Sequence, residues 1–335
     1  MRKLSFCCLL VAVALTGARS AHAESRPAAA PATGALRCGV VTAAEDWNKA
    51  ETHGNVSAFG VDVCKALLAA TLTAPGQASL TTFPDTNEGL QALHDGRIDV
   101  LAGATPSPTN RAVYQVAFAP PLFIDGVGFL VNRHAGIAKA AELADKSVCF
   151  IASTPAEQVL DAHAGTLRFR PFPFEEMGEM EDAFERGHCD AMVGDISQLA
   201  ATRAQFRSNA TDFVLLPERF SLDPLAPAYR AGDAHWGLIV ETTVQALLSA
   251  EADGITRARV AHDKDPAVRA WLAASRGPGR VLGLDDAWSQ RMIAAVGNAG
   301  EIFDRDLGAQ SPLRLPRERS ALWSAGGLLY PAPWQ

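Results

Sequence analysis

After residue 23 the chain contains no run of about 20 uninterrupted apolar residues, the length a membrane-spanning helix needs, so the later segment is expected to cross no bilayer as a helix. It also lacks a basic excess. Lys and Arg number 30 against 37 Asp and Glu, a formal net charge of −7, which argues against a nucleic-acid partner. Missing too are Gly-x-Ser-x-Gly, His-Glu-x-x-His and a Gly-rich phosphate loop. The 8 histidines are scattered. Nothing in the chain therefore assigns a catalytic residue, a metal ligand or a cofactor, and no enzyme is expected.

What is present begins with an export signal. Arg2 and Lys3 form a basic start, residues 4–15 are an apolar run, and Ala21-His22-Ala23 reads as a small-x-small cleavage site, so residues 1–23 are expected to be removed. Their loss takes away Arg2, Lys3 and Arg19 and no acid, moving the net charge to −10. A periplasmic location follows. Cys7 and Cys8 follow bulky residues inside the apolar run and are signal-peptide hydrophobes rather than a lipid attachment site. Residues 24–34, rich in Ala and Pro, are expected to be a flexible lead. The remaining roughly 300 residues exceed what one core usually serves, so two domains are expected.

Four cysteines survive processing, Cys38, Cys64, Cys149 and Cys189. In an oxidising compartment an even count points to disulfides. Three pairings are open, and free buried thiols are a fourth alternative. Cys38 lies on a predicted strand with Cys64 on the helix that follows, while Cys149 and Cys189 lie on strands of a later segment. These neighbourhoods favour Cys38 with Cys64 and Cys149 with Cys189.

Periodicity gives a strand at 36–41, helices at 59–72 and 87–94 (the second stopped by Gly96), and strands at 98–102 and 127–131. The alternation then restarts with strand 147–151, helix 156–164, strand 167–172, helix 177–186 and strand 190–193. This is the α/β pattern of a mostly parallel sheet, occurring twice. Residues 92–103 overlie 183–194 at a constant offset of 91, with Ala, two Gly and Asp coinciding; either one helix-glycine-strand unit is duplicated, or two such junctions look alike. Two open α/β lobes leave a cleft at the carboxyl ends of their strands, where ligands bind. Loops 103–105 and 194–196 should face each other there.

The chain resembles the periplasmic solute-binding proteins of family 3, in the general L-amino-acid-binding branch of ABC transporters. The resemblance runs from Leu36 to about Pro333. It rests on Leu36-Arg-Cys-Gly39, Phe59-Gly-Val-Asp-Val-Cys64, Asp125-Gly-Val-Gly-Phe-Leu-Val131, Ser147-Val-Cys149 and Cys189-Asp190 with Asp195. The most specific stretch is the tail, Gly283-Leu-Asp-Asp-Ala-Trp-Ser-Gln-Arg291 through Phe303 and on to Gly326-Gly-Leu-Leu-Tyr-Pro331. The resemblance supports the cysteine pairing. It implies the type II two-lobe fold, each lobe a mostly parallel sheet flanked by helices. Lobe 1 would span 35–132 plus 232–335, with a C-terminal helical extension, and lobe 2 would span 133–231. Such a clamp closes on a small-molecule ligand and presents it to a membrane permease.

By the same resemblance Arg111 matches the arginine that grips a ligand carboxylate, which suits a planar guanidinium fork, and Asp195 matches the aspartate that receives the ligand ammonium. Arg111 could otherwise be a surface arginine, and Asp195 could be the N-cap of a helix through Gln198-Leu199. Thr105, Ser107, Ser153 and Thr154 are the neighbouring hydroxyl candidates. The pattern is broken nearby. Pro106 and Pro108 stand where Ser or Thr is usual, and Pro155 replaces another Thr, which removes expected N–H donors; Val41 replaces a frequent Asp or Asn. Missing partners for a buried charge cost about 1.5–3 kcal/mol each, so the ligand is expected to differ from an ordinary α-amino acid. Glu45, Asp46 and Trp47 could supply replacement contacts, or form an exposed loop. The expected function is the binding component of an amino-acid-type transporter. The alternatives are a binding-protein fold that docks or signals, and, more remotely, a dehydratase-like enzyme on this fold.

Overall fold

A computed structural model describes residues 35–42, 56–71, 77–206, 210–262 and 264–334. The export signal at 1–23, the lead at 24–34, and Glu45, Asp46 and Trp47 lie outside the described residues. Among the described residues no helix is long and apolar enough to cross a membrane.

The chain builds two open sheets. The first uses β1 (Ala35–Val41), β2 (Gln77–Phe83), β3 (Val100–Ala104), β4 (Val116–Phe118), β5 (Phe123–Asp125) and β11 (Asp223–Arg230), in the order β2-β1-β3-β11-β4, with β5 paired to β11. The second uses β6 (Val127–Asn132), β7 (Ser147–Ile151), β8 (Arg170–Phe174), β9 (Ala191–Asp195) and β10 (Phe213–Leu215), in the order β10-β6-β9-β7-β8. The two orders superpose strand for strand, with β8, β7, β9, β6 and β10 in the places of β2, β1, β3, β11 and β4. Parallel pairing holds for β2-β1-β3 and β8-β7-β9, while β11 and β6 run antiparallel to their neighbours. Each sheet is thus mixed rather than simply parallel, because a chain that leaves a lobe and returns must run one strand backwards.

The duplication is realised in full. Helix α2 (Thr86–His94) and α5 (Met177–Glu185) begin and end 91 residues apart, and so do β3 and β9. Gly96 and Gly187, with φ of 73° and 78°, supply the left-handed stop that a side chain would resist. The coinciding aspartates do the same work: Asp99 accepts the Arg37 N–H at 3.0 Å and Asp190 accepts the Ser147 N–H at 2.7 Å, each pinning the first strand of its lobe to the third.

The chain crosses between lobes at 125–127 and returns through 216–223. Both crossings fall inside the ranges expected for single lobes: β6 belongs to the second sheet although 127–132 was expected in lobe 1, and β11 belongs to the first although 223–230 was expected in lobe 2. Extended hinge strands pair with the lobe they enter, so no turn marks the border. Strand β8 also begins three residues later than its apolar pattern suggests, because Leu167 still belongs to α4 (Pro155–Leu167), which ends at Arg168 with φ of 52°.

The C-terminal tail is a second layer on lobe 1. Helix α1 (Val56–Thr71) lies between the first sheet and a helical layer. Helices α3 (Pro108–Tyr114) and α6 (Ile196–Gln205) follow β3 and β9. Beyond β11 come α7 (Ala234–Ala252), α8 (Arg257–Val260), α9 (Pro266–Val281), α10 (Trp288–Val296) and α11 (Ala299–Asp306). Trp288 is fully buried and donates its indole N–H to the Ser275 carbonyl at 3.2 Å. Arg291 bridges Asp285 at 2.6 Å and reaches the Ala69 carbonyl of α1 at 3.2 Å. A capping box between Asn298 and Glu301 starts α11. The residues that make this tail recognisable are therefore scaffolding.

Both expected cysteine pairs are joined. Cys38 of β1 meets Cys64 of α1 with Cα atoms 6.1 Å apart, and Cys149 of β7 meets Cys189, just before β9, at 5.9 Å, separations a disulfide spans.

Candidate functional site

The carboxyl ends of β1, β3 and β9 and the hinge enclose a cavity of about 240 Å³ between the two sheets. Val40, Phe59 and Leu225 give it apolar walls, and Thr86, Ser197 and Gln198 give it uncharged polar ones. Its ionisable lining residues are Asp125 and Asp195, and no Lys, Arg or His stands among the described lining residues.

Hinge geometry determines what these carboxylates do. Gly126 lets the two crossings touch: a Cβ there would lie 2.5 Å from the Ser221 carbonyl oxygen. Ser221 in turn accepts the Val127 N–H at 2.9 Å and donates to Asp223, which stands opposite Asp125 in the β5–β11 pairing. Asp125 accepts the Gly126 N–H at 2.9 Å and the Ser197 N–H at 3.3 Å, and the Ser197 hydroxyl donates to its other oxygen. Its acidity is weakened, first by burial, with the Asp223 charge adding to that effect and its hydrogen bonds working against it.

Asp195 ends β9 and occupies the N-cap position of α6, yet its side chain makes no capping hydrogen bond. Its carboxyl is pushed up to about 6, mainly by desolvation and then by the Asp125 and Asp223 charges. Asp195 is exposed at the mouth of the cavity it lines.

Arg111 does not line this cavity. It is exposed on α3, with its guanidinium carbon 4.9 Å from the Phe118 ring centroid, and it borders a separate pocket of about 370 Å³ with Pro106, Glu241, Gln245 and Tyr330. The structure therefore does not bring Arg111 and Asp195 together in one cavity. Glu241 accepts a hydrogen bond from the Tyr229 hydroxyl, and Tyr229 is held protonated by burial and by that carboxylate.

The hydroxyl candidates serve local turns. Ser107 accepts the Asn110 N–H at 3.0 Å as the N-cap of α3, and the Thr105 carbonyl takes the Asn110 side chain at 2.9 Å. Thr154 donates to the Ile151 carbonyl at 2.7 Å, and Ser153 holds φ of 62° with its N–H on Glu157 at 2.7 Å. Pro108 and Pro155 stand in the first turns of α3 and α4, where a missing N–H is tolerated. Sequence reading missed Asp125, Ser197 and Asp223. Asp125 belongs to the Asp-Gly-Val-Gly stretch, whose glycine is the one signal of a close crossing. Among the described residues no group of three or more His, Cys, Asp or Glu could hold a metal ion.

A two-sheet α/β clamp with a cavity at the strand ends is the architecture of a bilobal binding protein, and the similarities of the whole chain are of that kind. No family model matches the chain. It is 35% identical over 339 residues to the general L-amino acid-binding periplasmic protein AapJ of Rhizobium johnstonii, covering 99% of this chain and 98% of that protein. It is 34% identical over 312 residues to the glutamate/glutamine/aspartate/asparagine-binding protein BztA of Rhodobacter capsulatus, covering 91% of each. A solved ABC transporter periplasmic binding protein from Brucella ovis with glutathione bound shares 34% identity and a TM-score of 0.75, covering 90% of this chain and 97% of that one. The chain belongs to the family 3 periplasmic solute-binding proteins, in the branch of amino-acid-binding components of ABC transporters.

Proposed function

We propose that this protein is the periplasmic binding component of an ABC transporter, exported through a cleaved signal at 1–23. It takes an amino acid or related small polar solute between its lobes and delivers it to a membrane permease, without catalysing a reaction. The observation that carries this reading is the inter-lobe cavity with Asp195 at the end of β9, a carboxylate with no hydrogen-bond partner among the described residues. Asp195 receives the cationic group of the ligand. Arg111 is the carboxylate partner once its side chain leaves Phe118. Ser107 keeps a hydroxyl proton to donate, whereas the Thr154 proton is already engaged; Thr105 and Ser153 assist, as do Asp46 and Trp47.

A thermal-shift panel of L-amino acids, polyamines, opines, dipeptides and glutathione tests this. A ligand at 100 times its Kd adds about 2.7 kcal/mol of stability. The expected result is at least one hit that disappears in both Arg111→Ala and Asp195→Ala. Silence across the panel would turn the reading toward a docking or sensing protein, which the prolines at 106, 108 and 155 favour by removing N–H donors.

A further inference from the structure

A helix start leaves its first N–H groups without acceptors, and the residue at the N-cap ordinarily supplies one. Helix α6 departs from that arrangement. Asp195 holds the extended backbone of an N-cap, with φ of −62° and ψ of 134°, yet its carboxylate bonds to none of the helix N–H groups. The acceptors come from the other side of the hinge. The Ile196 N–H goes to the Gly126 carbonyl at 3.0 Å, the Ser197 N–H goes to Asp125 Oδ1 at 3.3 Å, and the Ser197 hydroxyl goes to Asp125 Oδ2.

We infer that Asp125 is a positioning residue for the cleft: it caps α6 from the hinge in place of Asp195, and so leaves the Asp195 carboxylate free for a cationic ligand group beside a fixed negative charge. This inference rests on the reading of Asp195 as the ligand carboxylate. Of the three converging carboxylates, Asp125 and Asp223 have serine partners, and Asp195 has none among the described residues. The charged groups that act on Asp195 are Asp125 from β5 and Asp223 from β11. Apart from Asp125, the described residues that α6 and lobe 1 present to the cavity, Ser197, Gln198, Thr86 and Gly103 among them, are uncharged. A site with two carboxylates already in place favours a cation as its third member and disfavours a further anion. Their proximity also accounts for the rise of the Asp195 carboxyl to about 6. Asp195 therefore passes from neutral to charged over mildly acidic pH, and capture of a cation should weaken as pH falls through that value.

Carboxyl-carbon NMR titration of the ligand-free protein reads this directly. Asp125→Asn keeps an oxygen acceptor for the α6 N–H groups and removes the charge, so the Asp195 midpoint is expected to fall by about half a unit or more. Asp223→Asn, which leaves the α6 cap untouched, should lower it in the same direction and serves if the first variant does not fold. In calorimetry with L-glutamine between pH 5 and 8, the acidic loss of affinity should move down with the midpoint. At pH 5.5 a half-unit fall should raise the charged share of Asp195 about twofold over the parent. An Asp195 midpoint that moves in neither variant overturns the inference, even if Asp195→Asn abolishes binding and the cleft reading stands. If Asp195→Asn leaves affinity unchanged, the cleft reading fails and takes the ligand role of this inference with it.

Discussion

The two lobes share a strand order, a stop glycine and an aspartate pin, yet they are insulated from water to different extents. In lobe 1, α1 buries 11 of its 16 residues, because the sheet covers one side and the C-terminal helices cover the other. Its lobe 2 counterpart, α4, buries only 3 of 13, Ala156, Leu160 and Leu167. The sequences follow suit: α1 is apolar almost all round, while α4 exposes Gln158 and Asp161. The cysteines diverge in the same sense. Cys38 and Cys149 occupy equivalent first strands, but one bonds across to the covered helix and the other to the turn before β9. Lobe 1 is braced by an added layer, and lobe 2 leans more on its crosslink.

The largest test of that contrast is removal of each disulfide. The bridges span 40 residues in lobe 2 and 26 in lobe 1, which chain-entropy reasoning converts to about 4 and about 3.5 kcal/mol. Replacing Cys149 and Cys189 by Ala should therefore destabilise more in urea unfolding and should let lobe 2 melt first, as a separate calorimetric transition. Equal losses with a single transition would break the contrast. A smaller effect is expected at the hinge, where Gly126→Ala should cost about 1–3 kcal/mol by overpacking, since the added Cβ meets the Ser221 backbone. Small-angle scattering should show the lobes displaced in that variant.

The smallest effect sharpens the comparison at the strand ends. Asp195 has Ala104 as its counterpart in lobe 1, so only lobe 2 carries a charge there. Its folded pKa near 6 lies above the unfolded value of 3.8. The native state thus holds the extra proton between those values, and stability falls as pH rises through that window. Asp195→Asn should stabilise the protein at pH 7.5. The rise corresponds to at most about 3 kcal/mol, which the exposure of the residue reduces to about 1 kcal/mol. The gain should vanish below about pH 4 in denaturant titrations. Equal stabilisation at every pH would assign it to another cause.

The elements that were legible are those whose local signal agrees with their tertiary role. Strands β1, β3, β7 and β9 are buried apolar runs, and α2 and α5 close on glycines at fixed spacing. Strand β11 was not legible. It runs between β3 and β4 and contains Pro224 and Pro227, residues that argue against an interior strand. The fold accommodates Pro227 at a register shift between Ala226 and Ala228, where the ladder asks for no N–H. Strand β8, which the apolar pattern did find though three residues early, holds Pro171 and Pro173 by lying at the sheet edge.

Sequence by itself determined the alternating α/β pattern and the family resemblance, since each is written in residue types at short or repeating spacing, and it favoured the two cysteine pairs that the structure joins. Only the tertiary structure decided which carboxylate caps α6 and which is left for the cleft. Asp125 and Ser197 stand 72 residues apart, and whether two such groups meet depends on how the hinge strands cross. The same holds for Arg111: its place over Phe118 follows from how α3 settles on the sheet edge, which no local pattern encodes.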